Sequence, residues 1–174
     1  MEVDRPASVE TIATVDLKYR YGAGGTWSRA GDILIGGAPG IIRVNVKTGA
    51  IAPVAKVKPG VTAHLWPVFL PDGEHFIFCT RSPVSGVQVF LGDLAHSGQA
   101  SYLLDAESSY VAYAPDLEAA GRGFLVFARE ASLMAQAVDT ESGTMQDRRF
   151  QQVPPWRTPV QSPEPSVASP ARLA

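Results

Sequence analysis

The sequence predicts an all-β fold of about three four-stranded WD40-like blades plus one orphan strand, the outline of an incomplete β-propeller. Three observations predict it. Short apolar alternations recur along the chain, and turns rich in Gly and Pro separate them. The pattern also repeats at a fixed offset. Setting Trp27 against Phe69 sets Gly31 against Gly73, an offset of about 42 residues, the length of one four-stranded blade.

Taken in order, Val9–Val15 ("VETIATV") is expected as the orphan strand, completing a blade whose other strands are missing. A loop, "DLKYRYGAGG", leads to the first blade, approximately residues 22–58. Trp27–Ser28 close its short inner strand, and Asp32–Ile35, Ile41–Val46 and Ile51–Val57 follow. The second blade, residues 62–105, contains "LWPVFLPDGEHFIF" at its centre. Pro71 presets φ for a turn, Asp72 can bond its own backbone and Gly73 accepts positive φ. Beyond the turn, Phe76, Ile77, Phe78 and Cys79 suit a pleated, buried surface. The expected strands are Leu65–Leu70, Phe76–Thr80, Val87–Leu91 and Ala100–Leu104. The third blade, residues 108–153, takes Ser109–Tyr113, Gly123–Ala128, Leu133–Val138 and Phe150–Val153. In all three blades the third strand closes on a polar turn ending in Gly49, Gly98 or Gly143. No stretch patterns as a helix of ten or more residues, and "DLEAAGRG" offers one turn at most.

Residues 1–152 therefore form a partial propeller. Residues 153–174, "VPPWRTPVQSPEPSVASPARLA", are a Pro/Ser-rich tail with too little apolar surface to offset ordering, and are expected to be disordered. The break at Val153 reads as a truncation or a late change of reading frame. Three blades cannot close a ring, so self-association through the open propeller edges is expected.

Composition excludes several classes. The 15 basic residues are scattered and the formal net charge is -2, which gives nucleic acid no electrostatic grip. The N-terminus lacks the basic start and apolar core of a secretory signal, and no window approaches the ~20 apolar residues of a membrane span. Cys79 is the single cysteine, so no internal disulfide forms.

No catalytic constellation emerges, and no cofactor or metal is expected. "DLK" at Asp16–Lys18 has the Asp of a kinase catalytic loop, but no His-Arg precedes it and Tyr21 stands where Asn is required. The Gly-rich "YGAGGTW" leads into a strand, whereas a phosphate cradle needs a following helix. His64, His75 and His96 form no ligand-spaced pair, and Asp72 and Asp93 lack calcium-loop spacing. Ser85 in "PVSGV" lacks the flanking glycines of a nucleophile elbow. Cys79 ends an apolar strand and reads as a small buried hydrophobe. His64, Trp66 and Trp27 are the candidates for ligand or partner binding: His64 stands at the mouth of a blade, where propellers gather ligands, and the two tryptophans lie in inner-strand segments. The competing assignment makes His64 a histidine bonded to a loop carbonyl, and makes Trp27, Trp66, Phe69 and Phe78 blade core.

The ordered string "GGTWSRAGDILI", "HLWPVFLPDGEHFIF", "GVQVFLGDL" and "FLVFAREASLMAQAVD" resembles the WD40-like (TolB-like) β-propeller that follows the kinase domain in many bacterial serine/threonine protein kinases. The resemblance covers roughly residues 9–152. It implies a non-catalytic interaction or ligand-sensing module from the sensory half of a receptor-like, membrane-anchored kinase. The alternative is the propeller that gates a serine peptidase of the prolyl-oligopeptidase type.

Overall fold

Side chains within the turns set the boundaries of the strands. In the computed structural model, which describes residues 10–15, 23–38, 40–107, 110–129 and 132–146, the Gly73 N–H donates to the Leu70 carbonyl at 3.0 Å, with Gly73 at φ 74°. Asp72 Oδ1 accepts from the backbone N–H groups of Glu74 and His75, both at 2.9 Å, which closes the turn proposed from Pro-Asp-Gly. The same device recurs in every blade, in the turn after the third strand. Asn45 Oδ1 accepts from Lys47 and Thr48, Asp93 Oδ1 from Ala95, and Asp139 Oδ1 from Glu141 and Ser142.

Between these turns run antiparallel strands. The first blade is β1 (Gly25–Trp27), β2 (Asp32–Gly37), β3 (Gly40–Asn45) and β4 (Ile51–Lys56), paired in that order. The second is β5 (Ala63–Phe69), β6 (His75–Ser82), β7 (Gly86–Asp93) and β8 (Ala100–Ala106). The third contributes β9 (Ala112–Pro115), β10 (Arg122–Arg129) and β11 (Ser132–Asp139). One backbone pairing, Gly37 with His64, ties β2 to β5 and joins the first two blades. Pro53 lies in β4, at the end of the strand order, an edge position where a residue without an N–H is tolerated.

Two cores form between the blades. Leu34, Ile41, Val54 and Ala55 of the first blade meet Phe76 and Phe78 of the second. On the opposite face of the second blade, Leu65, Ile77, Cys79, Val89 and Leu91 meet Leu125, Phe127 and Val138 of the third. Period-2 alternation along β6 sends Phe76 and Phe78 one way and Ile77 and Cys79 the other, so one strand serves both cores.

The structure corrects some expectations. Glu10–Val15, expected as most of the orphan strand, run as irregular chain, passing the turn after β3 with the Ile12 carbonyl facing Gly49. A run of strand-favouring residues alone does not make a strand; a partner must take up its N–H and C=O groups. Trp27 is 60% exposed and does not belong to the blade core. The third inner strand begins at Ala112, later than the Ser109 start expected for it. Among the described residues there is no helix, and so none long and apolar enough to cross a membrane. Val9, Asp16–Lys18, Tyr21, Ser109, the expected strand Phe150–Val153 and the 153–174 tail lie outside the described residues.

Candidate functional site

The second blade positions a row of polar side chains across its strands. Register pairs His64 of β5 with Thr80 of β6, and Thr80 with Gln88 of β7, so all three project from one face. That face is turned toward the first blade, because Phe78 and Phe90, two residues along, share it and Phe78 belongs to the core with Leu34 and Ile41. A cavity of about 70 Å³ opens there, lined by His64, Phe78, Thr80, Phe90, Lys56 and Lys58 among others.

His64 is held closely. Its backbone pairs with Gly37, and a Cβ on Gly36 would stand 2.8 Å from the His64 carbonyl oxygen, so only glycine permits this approach between blades. The imidazole lies 4.9 Å from the Phe78 ring, is 5% exposed and donates to the Ala55 backbone carbonyl. Its Nδ1 is buried without a hydrogen-bond partner. Burial pushes the His64 pKa down to about 4, and the nearby Lys58 ammonium acts in the same direction, so the ring is neutral at pH 7. Thr80, 4% exposed, also leaves its Oγ1 without a partner. Two unpartnered polar atoms buried on adjacent strands weaken this side of the blade.

The other two candidates lie elsewhere. Trp66 sits in a bulge of β5 between Leu65 and Val68, with φ at 50°. That is a strained backbone for a bulky residue, the more so before Pro67. Its N–H donates to the Ala23 carbonyl at 2.6 Å, and its half-buried ring meets Tyr110 edge-on at 6.1 Å. Ala23 precedes β1 whereas Trp27 ends it, so the two tryptophans flank opposite ends of the innermost strand. The structure brings Trp66 to Tyr110, not to Trp27. It also gathers Thr80 with His64, and nothing in the sequence marks Thr80 except its place opposite a histidine in a hairpin.

A second, polar hollow of about 190 Å³ lies between the second and third blades, with His75, Asp93, His96 and Glu141 on its walls. Each imidazole is engaged within its own turn: His75 Nδ1 contacts Asp72 Oδ2 at 2.7 Å and His96 Nδ1 contacts Asp93 Oδ2 at 2.5 Å. The hydrogen bond from His96 holds the Asp93 carboxyl below its usual range. Among the described residues no group of three or more His, Cys, Asp or Glu side chains is placed to hold a metal ion. Cys79 is buried in the core between the second and third blades, where desolvation raises its thiol to about 11 and keeps it protonated.

No protein-family model matches the chain, and no curated protein matches its sequence significantly. Among solved structures it is similar to TolB from Acinetobacter baumannii, with a TM-score of 0.52 and 17% identity over 70% of this chain and 30% of that one. The hydrazine synthase of Kuenenia stuttgartiensis aligns with a TM-score of 0.37 and 12% identity over 82% of this chain and 52% of that one, too weak a likeness to inform the fold. TolB is a β-propeller. The chain spans 30% of the TolB chain's length, and its fold is that of a fragment of a TolB-like β-propeller.

Proposed function

We propose that the chain is a non-catalytic β-propeller module for interaction and ligand sensing, derived from the sensory half of a bacterial receptor-like serine/threonine kinase. The observation supporting an interaction role is the far face of the third blade. Leu125 and Phe127 of β10 point into the core, so alternation places Phe124 and Val126 on the opposite face, joined across the register by Leu133 and Ala135 of β11. Phe124 and Leu133 are exposed there, Leu133 by 54%. Apolar surface left in water forfeits about 25 cal/mol per Å², which favours covering these side chains. In a propeller the natural cover is the next blade. The kinase origin rests on the sequence resemblance.

Light scattering tests the surface. At concentrations of about tens of micromolar the 174-residue chain is expected to self-associate, and Phe124→Glu with Leu133→Glu is expected to return it to a monomer with little loss of stability. A compact wild-type monomer with a sharp two-state melt overturns the assignment of this face. Incubation with ATP and a generic protein substrate is expected to give no phosphotransfer. A kinase domain encoded upstream supports the proposed origin, whereas an α/β-hydrolase encoded downstream replaces it with the peptidase alternative.

A further inference from the structure

We propose that the exposed face of the third blade packs on the same face of a second copy about a two-fold axis, giving a closed dimer. The inference deepens the interaction role proposed above by naming the partner of that face, and rests on it.

The two end blades differ in what they leave open. In the first blade, register sets Ile33 beside Val44 and Ile35 beside Ile42. These four lie opposite Leu34 and Ile41, which enter the core with the second blade, so they make up the outward face of the first blade. That face is closed at its centre, with Ile42 1% and Val44 3% exposed. On the third blade Phe124 is 37% and Leu133 54% exposed. Head-to-tail association needs an open face at each end and would propagate from copy to copy unless the ring closed. With the first-blade face closed at its centre, the third-blade face is left to meet its own copy. An isologous contact of that kind stops at two.

Register makes the third-blade face complementary to itself. Along β10 the outward side chains are Phe124, Val126 and Ala128, and across from them on β11 stand Ala137, Ala135 and Leu133. Each strand thus has a large residue at one end and an alanine at the other, in opposite order. A two-fold axis lying between two such sheets and crossing the strands at Val126 exchanges the ends. Phe124 then lies over the partner's Ala128, and Leu133 falls toward the partner's Ala137. The sheets come out aligned and antiparallel, an arrangement that face-to-face sheets favour. An axis along β10 would instead set Phe124 on Phe124.

Arg122, two residues before Phe124 on the same face, bounds the patch with its ion pair to Asp116 at 3.2 Å. An apolar centre beside a polar rim is the anatomy of a protein–protein contact. Three strands at about 4.8 Å spacing and up to about eight residues at about 3.4 Å give roughly 400 Å² at most. A standard interface buries about 800 Å² per partner, so this dimer dissociates on dilution.

Sedimentation equilibrium of the 174-residue chain, from about 1 to about 200 μM, is expected to show the mass rising to twice the monomer and levelling off there. Phe124→Ala removes the knob and Ala128→Phe fills the hollow, both at exposed positions, and each should weaken the dimer about ten-fold. The double variant exchanges knob and hollow and should return to within about three-fold of the original. Trp27→Ser, on the exposed rim of the first blade's outward face, should leave the dimer unchanged. The two-fold dimer is overturned if the mass climbs past two copies without levelling. It is also overturned if the double variant stays as weak as the single ones, or if Trp27→Ser weakens association as much as Phe124→Ala. Each of these outcomes leaves the interaction role standing, because the chain still associates. A folded monomer at every concentration removes that role along with the dimer.

Discussion

The two faces of the second blade differ in kind. Toward the third blade it presents aliphatic side chains, and the cluster formed there holds fourteen buried residues. Toward the first blade it presents aromatic rings, with Phe78 packed on Phe76 and Phe90 at centroid distances of 5.7 and 5.8 Å, and only six buried residues make up the core. The smaller core also borders the cavity with two unpartnered polar atoms, His64 Nδ1 and Thr80 Oγ1. Stabilisation by burial scales with the apolar area removed from water, so the interface with the larger cluster holds more of the stability than the other.

The largest test of that contrast is Phe127→Ala. Phe127 is fully buried between the second and third blades, and its truncation should cost about 3–5 kcal/mol. Against the modest total of a small domain this should largely unfold the chain in chemical denaturation. If Phe78→Ala on the other face costs more, the ranking of the two interfaces is reversed.

The next effect belongs to His64 and concerns pH. In the unfolded chain its imidazole binds a proton near pH 6.5, and in the folded chain only near pH 4. Between those values the unfolded state takes up a proton that the native state refuses, so stability falls as pH drops from 6.5 to 4. The loss should be on the order of 2–3 kcal/mol, concentrated at the interface between the first two blades. His64→Leu should flatten the denaturation midpoint across this window. An unchanged slope in that variant means the imidazole is not buried as the structure shows.

A smaller effect tests the aromatic packing. The Phe76 ring lies across Gly92 of β7, where an added Cβ would stand 2.5 Å from it. Gly92→Ala should force the ring aside at a cost of about 1–3 kcal/mol, read from the denaturation midpoint. A neutral result means the aromatic face has slack that the aliphatic face lacks, which would widen the contrast between them.

Much of this molecule is written locally. The turn at Pro71-Asp72-Gly73, the Asx-type turns at Asn45, Asp93 and Asp139, and the alternation of β6 and β10 are settled by residues within a few positions of each other. Turn chemistry and side-chain period act over that range, so the sequence by itself determined most of the described strands, the order of the hairpins and the repeat of about 42 residues. It also singled out His64 as a candidate. It did not reveal that His64 and Thr80 share a cavity, because that follows from a register across a bulged hairpin and from the approach of the first blade at Gly36 and Gly37. The exposure of Trp27, the strained φ of Trp66 and its pairing with Tyr110 were likewise beyond it. The same holds for Glu10–Val15, expected as a strand, which the described fold does not pair. These were decided by the tertiary structure, since burial and pairing depend on what another segment brings alongside, and the local pattern carries no record of that partner.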